Sequence, residues 1–254
     1  MNRKARTESK LKELFGDTWS EAVDLDPDFT KISHRFIYGD IFYQGDLEIR
    51  LRMLINLVVL ATLRNHTQFP SQVGAALAVG VQPRQIKEAL YQCAPFIGFP
   101  AVFDALQVVN TVLADQGVAL ALDPETSISE EDRHEAGAAL QTPIYGDRIK
   151  ANLSSSPEEH RESIPRYLTE VCFGDFYTRS GLDLRTREIL ILCVLCALGG
   201  TEVQIRSHAA GNLKVGNTRE TIVAAVTQCL PLIGFPRTLN SLNIIKEVIV
   251  EPRA

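Results

Sequence analysis

The segment QCAPFIGFP, Gln92 to Pro100, returns as QCLPLIGFP, Gln228 to Pro236, with seven of nine residues identical at a spacing of 136. A phrase repeated that closely marks a duplicated structural unit and commits the chain to two related halves. At the same spacing Leu77 matches Leu213, Gly80 matches Gly216, Ile86 matches Ile222 and Ala89 matches Ala225. Upstream, YGDIFYQG (38–45) is similar to FGDFYTRSG (173–181) after a shift of one residue. The repeated unit spans about 75 residues, long enough for several helices. The chain divides accordingly into an N-terminal helical arm (1–37), a first copy (38–115), a helical connector (116–165) and a second copy (166–254).

Each copy reads as helical. In the second, LDLRTR leads into the apolar run Ile189–Leu198, stopped by Gly199-Gly200. Thr201 sits where a cap for a helix to about Lys214 belongs, and Thr218 begins the next. Pro236 suits an early position in a final helix reaching about residue 250. The first copy follows the same plan around the run Met53–Leu63. Runs rich in Val, Ile and Leu are also compatible with buried strands. Their length, charged approaches and repeat context favour helix, and a helix with no polar face must be covered all round by neighbours or by another subunit. In the connector, Ser127 or Ser129 is a candidate cap near Glu130 and Glu131, and Ser156 a second before Pro157.

The net charge of −5 argues against a nucleic-acid groove, which needs clustered Lys and Arg. The apolar run Ile189–Leu198 is too short to span a bilayer. The opening MNRKARTESKLKELFGD lacks the apolar region of a secretory signal, and five cysteines are an odd count for a disulfide framework. Cytoplasmic localisation is the expectation, with neither membrane nor nucleic-acid partners.

No metal-ligand cluster, glycine-rich phosphate loop or nucleophile elbow is evident, so neither metal nor cofactor is expected. In TEVQIRSHAAGN (201–212), Thr201, Gln204 and His208 share one helix face, while Glu202 and Arg206 are i, i+4 neighbours. A capping threonine, a surface ion pair and a half-buried histidine would account for the same pattern. In the first copy Gln68 corresponds to Gln204, Gln72 to His208 and His66 to Glu202, and Arg52 is set against Glu188. The titratable groups are therefore not duplicated. Either the second copy alone does acid–base chemistry, or His66 and His208 share a site. Cys193 and Cys196 form a C-x-x-C inside the apolar run, where packing is the expected role.

The second copy resembles the carboxymuconolactone decarboxylase family in Arg187-Glu188, in the stretch around His208 and in the Gly-Phe-Pro at 234–236; the first copy resembles it more weakly. The resemblance implies an all-α fold, a duplicated alkyl hydroperoxidase D-like module that forms rings, with a homo-oligomer such as a trimer of duplicated chains. Family members similar to alkyl hydroperoxidase D carry C-x-x-C-x3-H, whereas this chain has Thr201 and Gln204 ahead of His208 and Asn65 and Gln68 ahead of Gln72. That disfavours a thiol-dependent peroxidase. The decarboxylase branch implies a cofactor-free lyase acting on a small acidic substrate, a carboxylated lactone or related acid. On that resemblance His208, Glu188 and Glu202 are the candidate catalytic residues. Gln204, Arg206, Thr201 and His66 are the candidate substrate-binding residues. A non-catalytic ring-forming binding protein is the remaining alternative.

Overall fold

The computed structural model describes residues 1–18, 26–119, 128–146 and 157–249. The fold is all-α, with no strand among the described residues. The first half contains α1 (Arg3–Phe15), α2 (Pro27–His34), a π-type helix π1 (Arg35–Asp40), α3 (Ile49–Thr62), α4 (Phe69–Ala78), α5 (Pro83–Tyr91), the short α6 (Ala94–Ile97) and α7 (Phe99–Asp115). The second contains α8 (Arg133–Tyr145), α9 (Ser163–Tyr167), the π-type helix π2 (Leu168–Tyr177), α10 (Leu184–Leu198), α11 (Glu202–Lys214), α12 (Arg219–Gln228) and α13 (Leu230–Ile249).

The two apolar runs are the centre of the molecule. Every residue from Arg52 to Ala61 on α3 and from Arg187 to Ala197 on α10 is buried. The cover comes from within the chain. The two helices pack on each other, α4, α5 and α7 lie over α3, and α11, α12 and α13 lie over α10. Valine and isoleucine lose a few tenths of a kcal/mol each to poor helix propensity. Burial returns about 1.5–3 kcal/mol for each such side chain, so packing decides the conformation.

The repeated phrase is a joint between helices. Gly98 (φ 85°, ψ 147°) and Gly234 (φ 80°, ψ 166°) adopt a backbone that L side chains avoid. The following Phe-Pro then opens α7 and the long arm of α13, with proline where no amide donor is needed. The shared Gly-Phe-Pro makes the same turn in both halves.

The repeat is longer than the segmentation read from sequence. Helix α1 crosses π1 at Gly39, and α8 crosses π2 at Gly174; at both crossings a Cβ on the glycine would collide with the crossing helix. Arg3 pairs with Asp40 at 2.7 Å, and Arg133 with Asp175 at 3.4 Å. The aromatic rings match as well: Phe15–Tyr38 and Tyr145–Phe173 are edge pairs at 5.7 and 5.8 Å, and Tyr38–Phe42 and Phe173–Tyr177 are tilted pairs at 5.3 and 4.8 Å. Residues assigned to an arm and a connector thus supply the first helix of each half. Of the connector caps, Ser127 and Ser156 lie outside the described residues; the Ser129 hydroxyl accepts the Asp132 amide at 3.2 Å just before α8.

A pseudo-twofold axis relates the halves. Arg52 donates to Gln228 of the other half at 2.8 Å and to the Gln44 carbonyl at 2.9 Å. Arg187 donates to Gln92 of the other half at 3.2 Å and to the Arg179 carbonyl at 2.8 Å. Arg52 is therefore the counterpart of Arg187, and Met53, rather than Arg52, stands opposite Glu188. The sequence comparison at a constant spacing missed this because the register changes by one at the next turn, where Gly199-Gly200 (φ 70° and 68°) replaces Arg64 (φ 54°). No helix among the described residues is long and apolar enough to cross a membrane.

Candidate active site

Four side chains from four elements of the second half meet in one cluster. Glu188 is on α10 and His208 on α11; Tyr145 is the last residue of α8 and Tyr177 the last of π2. The Glu188 carboxylate is fully buried yet surrounded by donors. Tyr177 Oη donates to Oε1 at 2.7 Å and Tyr145 Oη donates to Oε2 at 2.6 Å. His208 Nδ1 lies 3.1 Å from Oε2 and 2.7 Å from Tyr145 Oη.

The network fixes the tautomer. Burial, reinforced by the neighbouring carboxylate, holds both phenols well above the usual tyrosine pKa, so both keep their protons as donors. Tyr145 has one proton and spends it on Glu188, so the remaining hydrogen in the His208–Tyr145 contact belongs to Nδ1. Imidazole Nε2, on the far side of the ring, is then the nitrogen left free of the cluster to exchange a proton. This arrangement can take a proton from a bound molecule or give one to it at Nε2. His208 retains 13% side-chain exposure, in contrast to the sealed carboxylate beneath it.

The backbone around the pair is fixed by Asn212. Its amide nitrogen donates to the carbonyl of Glu188 at 3.0 Å and to that of His208 at 2.9 Å, and its oxygen accepts from Asn217 at 2.8 Å. Gly211 permits the approach of α11, since a Cβ there would stand 3.0 Å from both Glu188 Oε2 and Tyr145 Oη.

The pseudo-twofold places Phe15, Phe42, Met53 and Gln72 where the second half has Tyr145, Tyr177, Glu188 and His208. No carboxylate or imidazole occupies any of these four places in the first half. Instead Gln72 accepts from Asn56 at 3.1 Å and donates to Tyr38 at 3.3 Å, and Asn56 accepts from Gln228 at 3.0 Å.

Of the residues singled out from sequence, the structure brings together His208 and Glu188. Glu202, the third candidate catalytic residue, is exposed at the start of α11. The Thr201 hydroxyl donates to the Leu195 carbonyl at 2.7 Å and ties the turn down. Gln204 is exposed one turn before His208. Arg206 pairs with Glu247 at 2.6 Å rather than with Glu202, and His66 is exposed on the turn between α3 and α4. Sequence reasoning missed Tyr145 and Tyr177. The signal available was ELFGD against PIYGD, a repeat at a different spacing that marks Phe15 against Tyr145.

The cysteines are packing residues. Cys193 and Cys196 are buried on α10, and burial pushes the Cys196 thiol up to about 12. The Cys193 thiol is raised well above its usual value by its contact with Cys229 and by burial. Thiols so disfavoured as thiolates are poor nucleophiles.

The fold and the cluster together define a tandem all-α protein whose second half holds a buried carboxylate beside an imidazole, with two phenols donating to that carboxylate. The chain belongs to the carboxymuconolactone decarboxylase family, whose model matches residues 27–111 and 162–247. It is similar to a 4-carboxymuconolactone decarboxylase of Acinetobacter baylyi, 22% identical over 48% of this chain and 90% of that protein. It is also similar to an uncharacterised 15.0 kDa protein of Paracoccus denitrificans, 30% identical over 35% of this chain and 67% of that protein.

Proposed function

We propose that the chain is a cofactor-free carboxy-lyase acting on a small conjugated acid of the carboxylated γ-lactone type, with its reaction centre in the second half. The observation that carries this reading is the Glu188-supported imidazole whose Nε2 is turned away from the cluster. In the reaction the bond to the departing carboxylate breaks, carbon dioxide leaves, and the electron pair passes into the conjugated lactone. His208, charged and paired with Glu188, delivers the proton from Nε2 to carbon and is recharged from solvent. Tyr145 and Tyr177 keep the carboxylate in place and raise no competing charge. Gln204, one turn along α11, is the candidate for holding the substrate carboxylate. The test is incubation of the metal-stripped protein with 4-carboxymuconolactone in deuterated water. One deuterium incorporated per carbon dioxide released is expected; failure to release carbon dioxide from any carboxylated γ-lactone overturns the reading.

Assembly as a trimer of duplicated chains belongs to the same proposal. Its support is a set of exposed apolar residues repeated in both halves, Phe99 with Phe235 and Phe103 with Leu239. Light scattering is expected to give three times the chain mass of 28.1 kDa, and a monomeric mass at assay concentration would end the assembly proposal.

A further inference from the structure

The repeated phrase differs between the halves at two positions only, Ala94 against Leu230 and Phe96 against Leu232. One of these differences reaches the imidazole. Phe96, on α6 of the first half, lies edge-on to His208 of the second, with ring centroids 5.8 Å apart and planes at 73°. Tyr145 holds the same imidazole from another side, with centroids 5.3 Å apart. The ring that exchanges the proton is thus walled by one aromatic from its own half and one from the other. In the first half, where Gln72 replaces the histidine, the residue that the pseudo-twofold sets in the place of Phe96 is Leu232. The aromatic accompanies the imidazole.

We propose that Phe96 is a specificity-determining residue of the second half's site, supplied across the pseudo-twofold by the first half. It screens Nε2 from water and offers a flat apolar surface to a planar, conjugated ring acid. The inference deepens the lyase reading and rests on it for the identity of the ligand, though not for the screening. A ring edge packed against imidazole limits the directions from which a molecule approaches Nε2. It favours ligands that are themselves flat and unsaturated at the reacting end. The phrase tolerates the change from leucine because Phe96 is only half-buried and α6 is otherwise set by the same glycine and proline turn. Phe96 takes no proton and has no polar group to offer the Glu188 carboxylate, so its contribution is to access and fit.

Two readouts test this on the full chain with Phe96→Leu, Phe96→Ala and Phe96→Tyr. The first is the rate at which diethyl pyrocarbonate acylates His208, followed by mass spectrometry on the tryptic peptide Ser207–Lys214, with exposed His66 as the internal standard. Phe96→Ala is expected to accelerate modification of His208 several-fold, Phe96→Leu less, and Phe96→Tyr hardly at all, with His66 unchanged. Equal rates at His208 in all four proteins overturn the proposal. The second readout is steady-state turnover of 4-carboxymuconolactone. Loss of the aromatic surface is expected to raise KM about tenfold with kcat little changed, the affinity equivalent of one lost aromatic contact. A fall confined to kcat overturns the specificity role. If the unaltered chain releases no carbon dioxide while the modification rates behave as stated, the lyase reading fails and the aromatic screen stands.

Discussion

Replacing His208 by glutamine, the residue its counterpart Gln72 already supplies in the first half, is expected to lower kcat about a thousandfold while leaving the fold and assembly unchanged. Glutamine occupies the equivalent place in a half with the same helices and ring pairs at matching places, so the scaffold accepts a side chain of that size. The amide can accept a hydrogen bond and donate one, but it does not carry a proton through the reaction. Carbon dioxide release from the carboxylated lactone, measured beside the circular dichroism spectrum and the thermal transition, separates loss of chemistry from loss of structure. Undiminished release by a folded His208→Gln protein would remove His208 from the mechanism.

A second substitution is expected to act on the whole molecule. Glu88, on α5 of the first half, is buried between two arginines of the second. Arg179 donates to it at 2.8 Å and Arg187 at 3.3 Å. Arg187 is fully buried; burial lowers its pKa, and the Glu88 charge raises it in partial compensation. Glu88→Gln leaves that guanidinium without a counter-charge, and breaking one side of a buried pair costs about 3–5 kcal/mol. Urea unfolding should show the loss as a lower midpoint at unchanged slope. Joint replacement by Glu88→Leu and Arg187→Met is expected to recover much of it, since apolar groups of similar size need no partner. A loss of the size seen for an exposed ion pair would show that the contact is not the brace between the halves. The first half dispenses with such a pair. Ala224 stands at the place of Glu88, and Arg52 is satisfied by the carbonyls of Ile41, Gln44, Gly45 and Leu47 with the Gln228 side chain.

How much of this was legible in the sequence follows the distance over which each contact acts. The helical joints were readable because Gly-Phe-Pro fixes them within a few residues. His208 stood out because it is an isolated imidazole on a helix face, and its partner Glu188 lies on the preceding helix. Tyr145 and Tyr177 were not readable as site residues, because they reach Glu188 from helices that the segmentation had placed outside the copy or at its edge. Phe96 arrives from the other half altogether. Arg206 and Glu202 share the stretch that holds His208, yet a single helix turns most of its side chains away from any one point. The misplacement of Arg52 opposite Glu188 came from one extra residue in a turn; the shifted match of 38–45 with 173–181 carries the true register, and the hydrogen bonds across the seam agree with it.

That seam has a mechanical consequence for the chemistry. Arg187 and Glu188 are consecutive residues; the first is bolted to Glu88 and Gln92 across the axis, and the second carries the imidazole. Arg187 also lies over the Tyr177 ring, with its guanidinium carbon 5.9 Å from the centroid. Any twist of α10 large enough to misaim the carboxylate must first tear the arginine from its anchorage in the opposite half. The stiffness of the shared core is thereby lent to a single proton's path, and the half without a carboxylate or imidazole at the matching places is the anvil against which the other works.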